Sequence, residues 1–151
     1  MNNNMLRKLR LISLMVVAHC TFTYAQGQST FFLNDPWKTG QLLPAERLAS
    51  MIKKGEKIEI YNIGPVANIK GAVNFGAASE AKNLERFKLS LKDKPRNQRM
   101  VFYCGCCPMN KCPNIRPAFK MLQQMNFTNM QVLELPANIR VDWINKGYPI
   151  D

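Results

Sequence analysis

Short apolar runs alternate along the chain with longer segments whose apolar residues recur at helical spacing. The run at residues 99–104 is almost continuously apolar, which is typical of a strand buried on both faces of a parallel sheet. Shorter runs that end at glycine, proline or asparagine predict further strands at residues 57–64, 69–76 and 129–138.

The segments between these runs have apolar residues three or four positions apart, which predicts helices. These helices lie at residues 42–56, 79–94, 113–127 and 139–151. Because strands alternate with helices, the sequence predicts an α/β fold, with three α/β/α layers around a central, mostly parallel sheet.

The beginning of the chain has a different pattern. A basic head of two arginines and one lysine precedes the uncharged stretch 11–25, which ends in the small residue Ala25. This order is typical of a secretory signal peptide over residues 1–25. The apolar stretch is short of the roughly 20 residues that a membrane span needs, so no transmembrane segment is expected after cleavage. The predicted location is therefore the periplasm or the cell surface.

Cys20 offers an alternative, since a lipoprotein would be lipidated at such a cysteine. That reading is less favoured because His19, directly before it, is not a small residue. After the signal peptide, residues 26–41 are polar and irregular and are interpreted as an extension. The folded domain then covers residues 42–151.

Charge and histidine content limit the possible functions. Removing the three cations of the predicted signal peptide lowers the formal net charge from +11 to +8. The remaining charges are dispersed, which indicates solvated helix faces rather than a nucleic-acid site. The only histidine, His19, lies in the predicted signal peptide. The mature domain therefore cannot use a Cys-His pair, a Ser-His-Asp triad or a histidine-containing metal site.

The most informative motif follows the apolar run 99–104. Four cysteines lie within nine positions, at Cys104, Cys106, Cys107 and Cys112. Cys104 is placed at the carboxyl end of a buried strand, where ligands bind in open α/β sheets. The next helix supplies backbone N–H groups and a positive dipole end, which stabilise a thiolate. The sequence thus predicts that Cys104 is an activated nucleophile with a lowered pKa.

Several segments together resemble a rhodanese-type sulfurtransferase domain. They are "VFYC" with the loop and helix that follow, "LLPAERLASMIKKGEKIEIYNIG" with its helix and strand, and "ANIKGAVNFG", which is similar to the family's GHIPGA-type segment. The resemblance covers about residues 41–151. It implies a rhodanese-like fold and sulfur transfer from a small anionic donor such as thiosulfate to a thiol acceptor, without an organic cofactor.

The resemblance implies that Cys104 is the catalytic residue, which attacks the outer sulfur of the donor and carries it as a persulfide. It also implies a substrate pocket formed by the loop that follows and a nearby cation. The pocket residues would be Gly105, Cys106, Cys107, Met109, Asn110, Lys111, Cys112 and Arg116.

The chain departs from the family's pattern at three places. The loop up to Cys112 is longer than the usual five or so residues, and Asn114 stands where an arginine often closes it. Arg116 or Lys111 would then supply the positive charge. Asn68 stands in place of the GHIPGA histidine, and "YNIG" replaces the usual Asp-x-Arg.

The other cysteines leave three alternatives open. The four thiols could bind a soft metal ion, copper or zinc; a single cluster with adjacent cysteines is unlike a structural zinc site, whereas thiolates with Met109 would suit copper(I). Cys107 and Cys112 could form a structural disulfide, as expected in an oxidising compartment. Cys106 or Cys107 could resolve a persulfide or sulfenate on Cys104. A catalytically silent module that binds a metal ion or a partner protein is the remaining alternative function.

Overall fold

The computed structural model describes residues 35–151, whose centre is a five-stranded sheet. Its strands are β1 (Leu42–Pro44), β2 (Glu59–Asn62), β3 (Ala72–Asn74), β4 (Met100–Tyr103) and β5 (Met130–Glu134). They are ordered β1-β5-β4-β2-β3, and every neighbouring pair is parallel. The predicted parallel sheet is confirmed, with β4 at its centre.

The predicted signal peptide (1–25), Cys20 and the first part of the predicted extension (26–34) lie outside the described residues. None of the helices within residues 35–151 is long and apolar enough to cross a membrane.

The four helices within residues 35–151 form the two outer layers. They are α1 (Ala45–Lys53), α2 (Ala81–Ser90), α3 (Ile115–Gln124) and α4 (Ile139–Asp142). Successive side chains of a strand point to opposite faces, and β4 shows this alternation. Phe102 and Cys104 lie in the apolar layer that contains residues of α2 and α3, whereas Val101 and Tyr103 lie in the layer that contains residues of α1 and α4. The three-layer α/β/α architecture is therefore confirmed.

The first predicted helix begins later than expected. Leu42–Pro44 is not helical but forms β1, which pairs with β5 at the edge of the sheet. Pro44 occupies the N-cap position of α1 with an extended backbone. Proline suits the start of a helix because its φ is fixed near the required value and its missing N–H is not needed there. The conformation of these three residues depends on their pairing with β5, which the spacing of apolar residues along the chain cannot reveal.

The closing segment 139–151 is not one continuous helix. α4 ends after one turn, and a 3₁₀ turn over Ile144–Lys146 ends at Gly147, whose φ is +65°. The indole of Trp143 is wholly buried, packs edge-on against Tyr148 and donates a hydrogen bond to the carbonyl of Pro149 at 2.9 Å. Burial of this one side chain folds the segment back on itself instead of extending the helix.

Candidate functional site

The cysteine loop lies at the carboxyl edge of the sheet. Cys104 directly follows β4, and the chain then passes through a 3₁₀ turn at Met109–Lys111 before α3 begins. Cys104 and Cys112 are buried, Cys106 is exposed and Cys107 is half-buried. The strand, loop and helix therefore follow one another in the order that the sequence indicated.

Three of the four sulfur atoms meet at one place. The Sγ atoms of Cys104 and Cys106 are 3.2 Å apart, and those of Cys104, Cys106 and Cys112 all lie within 4.8 Å of one another. The Cys107 sulfur is 3.4 Å from that of Cys106 and also contacts Cys112, but it does not belong to the set of three that all lie within 4.8 Å of one another. Its side chain packs against the apolar core. The four cysteines of the loop are free thiols in the structure, so the Cys107–Cys112 disulfide considered above is not present.

Asn114 links this sulfur group to the rest of the domain. Its side-chain Nδ2 donates to the Cys104 sulfur at 3.1 Å and lies 3.9 Å from that of Cys106. Its Oδ1 accepts the backbone N–H of Ser79 at 2.8 Å, which fixes the orientation of the amide. Asn114 is buried, so this amide is an obligatory hydrogen-bonding group aimed at the sulfur. The sequence analysis singled out Asn114 only because it stands where an arginine often closes the loop. Its position just before a predicted helix was the one signal that it could belong to the site.

Cys112 is the thiol that this arrangement favours in its ionised form. The Cys104 thiol donates a hydrogen bond to it, and the backbone N–H groups of Asn114 and Ile115 at the start of α3 also point to it. Together these donors outweigh the effect of burial and lower the pKa of Cys112 to about 6. Unpaired N–H groups at a helix start stabilise an anion there, as the sequence argument expected for Cys104.

The prediction that the pKa of Cys104 is lowered is wrong. The hydrogen bond to the Cys112 thiolate and the burial of Cys104, which is 0% exposed, raise its pKa. The amides of the helix start favour negative charge on Cys112 over Cys104. Burial and neighbouring thiols also raise the pKa of Cys107, to about 12.

This difference predicts how stability changes with pH. The pKa of Cys112 is about 6 in the folded protein and that of a cysteine in the unfolded chain is near its ordinary value of 9.0. Between these values the unfolded chain binds more protons, so stability rises with pH and is lost as pH falls through about 6. Urea unfolding should show a gain of up to about 2 kcal/mol from about pH 6 to pH 8.

The Cys112→Ser variant is the control for that measurement, because it should show a flatter dependence over the same range. An equal pH dependence in both proteins would contradict the assignment of the charge to Cys112.

Gly64 is the residue that lets the chain pass closely over Cys104. A Cβ at Gly64 would lie 2.6 Å from the Cys104 sulfur and 2.7 Å from its carbonyl oxygen. No side chain fits there unless backbone moves. The glycine after β2 therefore belongs to the site, although the sequence pattern indicated only the end of a strand.

Replacing Gly64 with alanine should displace Cys104 and lower stability by about 2 kcal/mol, the usual effect of an added methyl in a packed interior. Urea unfolding measures the loss, and thermal unfolding checks it. Gly40→Ala is the matched control, because nothing lies within 4 Å of a Cβ at that exposed glycine. Equal stability of the two variants would contradict the close packing.

Arg116 does not face the sulfur group as the sequence argument supposed. Its guanidinium forms an ion pair with Asp35, lies over the ring of Trp37 and donates to the carbonyl oxygens of Cys112 and Asn110 at 3.2 and 3.1 Å. Since its donors are directed to these partners, Arg116 fixes the outer side of the loop to the segment before β1. Its role is therefore structural, and its guanidinium is not free to bind a substrate.

The remaining residues of the predicted pocket lie around the sulfur group in different environments. Gly105 is buried with φ +70°, and a Cβ there would be 2.8 Å from that of Ile139. Met109 is half-buried against the apolar core, whereas Asn110 and Lys111 are exposed on the loop. The structure therefore brings together three of the predicted cysteines and adds Asn114.

No family model matches this chain, and no curated protein is similar to it. Among solved structures it is similar to wild-type EanB and to an EanB variant in complex with hercynine, each with 20% sequence identity and a TM-score of 0.49. These matches cover 74% of this chain but only 27% of the EanB chain. This chain therefore spans about a quarter of the length of the proteins it matches, and the likeness assigns no function to it.

Proposed function

We propose that the protein is a rhodanese-like sulfurtransferase, exported to the periplasm or cell surface, that carries sulfane sulfur as a persulfide on Cys104. The observation that carries this proposal is the pair of buried sulfurs, Cys104 and Cys112, at the junction of β4 and the start of α3. In this proposal Cys104 acts as the nucleophile and Cys112 takes its proton. This pairing replaces the histidine that the mature chain lacks.

The transfer step needs only these two residues and the donor. As the Cys104 sulfur attacks the outer sulfur of thiosulfate, its proton passes to the Cys112 thiolate and the S–S bond of the donor breaks. Sulfite leaves with the electron pair, and Cys104 carries the persulfide anion. A thiol acceptor then attacks the outer sulfur and returns Cys104 to its starting state.

Cys106 controls access to the buried nucleophile. Cys104 is 0% exposed, whereas Cys106 is exposed and its sulfur lies 3.2 Å from that of Cys104. Rotation of the Cys106 side chain away from Cys104 gives a small anionic donor its path. The basic surface of the domain favours the approach of such a donor.

Amide hydrogens at the site support an anionic persulfide. The Asn114 side chain and the backbone N–H of Cys106 both donate to the Cys104 sulfur. Fixed donors aimed at a developing negative charge stabilise it more than water does, because they need not reorient during the reaction. The same donors face any charge on the transferred sulfur.

The short distance between Cys104 and Cys106 favours a second, redox outcome of the same chemistry. Attack of Cys106 on the inner sulfur of the persulfide would form a Cys104–Cys106 disulfide and release the outer sulfur as hydrosulfide. The two sulfurs start at 3.2 Å and need to approach to about 2 Å. Thiol acceptors and Cys106 would thus compete for one persulfide.

Intact-mass analysis of the reduced protein, before and after thiosulfate, tests the proposal. A gain of one sulfur atom (about 32 Da), mapped by peptide analysis to Cys104, is the expected result. A loss of about two hydrogens, mapped to a Cys104–Cys106 disulfide with release of sulfide, would show the redox branch. Neither change with thiosulfate or with an organic persulfide donor would refute sulfur transfer and favour a non-catalytic binding module.

A further inference from the structure

The sulfur group also has the composition of a soft-metal site. The Sγ atoms of Cys104, Cys106 and Cys112 all lie within 4.8 Å of one another, and within residues 35–151 no aspartate or glutamate belongs to the set. We propose that the reduced protein binds one copper(I) ion through these three sulfurs. This inference is independent of the proposed sulfur transfer, because it concerns a different occupant of the site.

The spacing suits a three-coordinate ion. With a metal–sulfur bond of about 2.3 Å, three sulfurs around a central ion in one plane are about 4 Å apart. The observed separations extend from 3.2 Å, between Cys104 and Cys106, to no more than 4.8 Å. Small rotations of the exposed Cys106 side chain therefore bring its distances to the two buried sulfurs closer to this value.

Hydrogen-bond donors already surround the two buried sulfurs. The Asn114 amide and the backbone N–H of Cys106 donate to Cys104, and the backbone N–H groups of Asn114 and Ile115 donate to Cys112. A copper(I) tris-thiolate carries net negative charge, and such outer hydrogen bonds stabilise and orient its ligands. The donors are held by secondary structure, so the site is preorganised on that side.

The number of ligands favours copper(I) over zinc. Structural zinc is almost always bound by four ligands in a tetrahedron. The fourth cysteine of the loop, Cys107, has its sulfur 3.4 Å from that of Cys106, but it is not one of the three whose sulfurs all lie within 4.8 Å of one another, and its side chain packs against the core. Thiolate ligands suit both copper(I) and zinc, so the choice between the two metals rests on the number of ligands. Within residues 35–151 no aspartate or glutamate joins the set. Exposure of Cys106 leaves one side open for the ion to enter.

The test is an anaerobic titration of the reduced full chain with copper(I) in the presence of a coloured copper(I) chelator. One copper(I) per chain should be withdrawn from the chelator, and X-ray absorption of the loaded protein should show three sulfur neighbours at about 2.3 Å. Cys106→Ser, at an exposed position, should weaken binding at least tenfold. Cys107→Ser is the matched control and should bind as the wild type does.

The inference would be overturned if no copper(I) were withdrawn from the chelator, if fewer than three sulfur neighbours were found, or if Cys107→Ser lost binding equally. Retention of Zn²⁺ in place of copper(I), with four sulfurs, would also overturn it. Because persulfide formation is measured on copper-free protein, failure of either idea leaves the other standing.

Discussion

Replacing Cys104 with serine is expected to abolish the thiosulfate-dependent sulfur adduct. The hydroxyl of serine cannot carry a persulfide, and neither neighbouring sulfur occupies the position after β4 where the donors of Asn114 and Cys106 converge. Intact mass after thiosulfate should therefore be unchanged in this variant. The wild type should gain one sulfur under the same conditions.

Serine at this position is buried but does not lack partners. Its hydroxyl can accept from the Asn114 amide and donate to Cys112, so the variant should fold, with a loss of about 1–2 kcal/mol that circular dichroism and urea unfolding can measure. Cys107→Ser is the matched control, since Cys107 lies outside the sulfur group. An undiminished adduct in a folded Cys104→Ser protein, mapped to Cys106, would transfer the nucleophile's role to that residue.

Replacing Cys112 with serine is expected to slow formation of the adduct by about 100-fold without abolishing it. The thiolate that accepts the Cys104 proton is lost, and proton acceptors of this kind contribute about 10²–10⁴-fold to rates. Cys104 would remain in place but largely protonated near neutral pH. The observed rate constant of adduct formation, followed by mass at fixed thiosulfate, measures the effect.

The pH profile separates this role from a merely structural one. In the wild type the rate should rise with a midpoint near 6, the pKa of Cys112. In Cys112→Ser this midpoint should vanish, and the rate should climb only where a buried thiol ionises, above about pH 9. A variant that is uniformly slower but keeps the midpoint near 6 would show that another group accepts the proton.

Much of the fold was accessible from local patterns. The apolar run 99–104 predicted a strand buried on both faces of a parallel sheet, and β4 is buried along its whole length. The alternation of strands and helices predicted three layers, which the structure confirms. These predictions succeed because side-chain periodicity depends on the local backbone and on which face is buried. The ends of elements depend on partners, so β1 and the segment after Trp143 could not be predicted.

The sequence predicted where the site lies, but not which of its cysteines has the lowered pKa. The position of Cys104 after a buried strand and before a helix follows from chain order alone. Helix geometry directs the N–H groups of Asn114 and Ile115 to Cys112 instead, eight residues further along the chain, so the lowered pKa belongs to that thiol. Arg116 likewise had the right charge for an anion site, but Asp35 and two carbonyl oxygens engage it.

The amino-acid sequence by itself determined the layer architecture, the edge of the sheet at which four thiols gather, and the absence of histidine from residues 26–151. Only the tertiary structure decided which three sulfurs meet, that Asn114 and Gly64 complete their surroundings, and that Cys112 holds the charge. The physical reason is that periodicity and chain order are local properties. A pKa and a sulfur–sulfur distance depend instead on groups that separate strands and helices bring together.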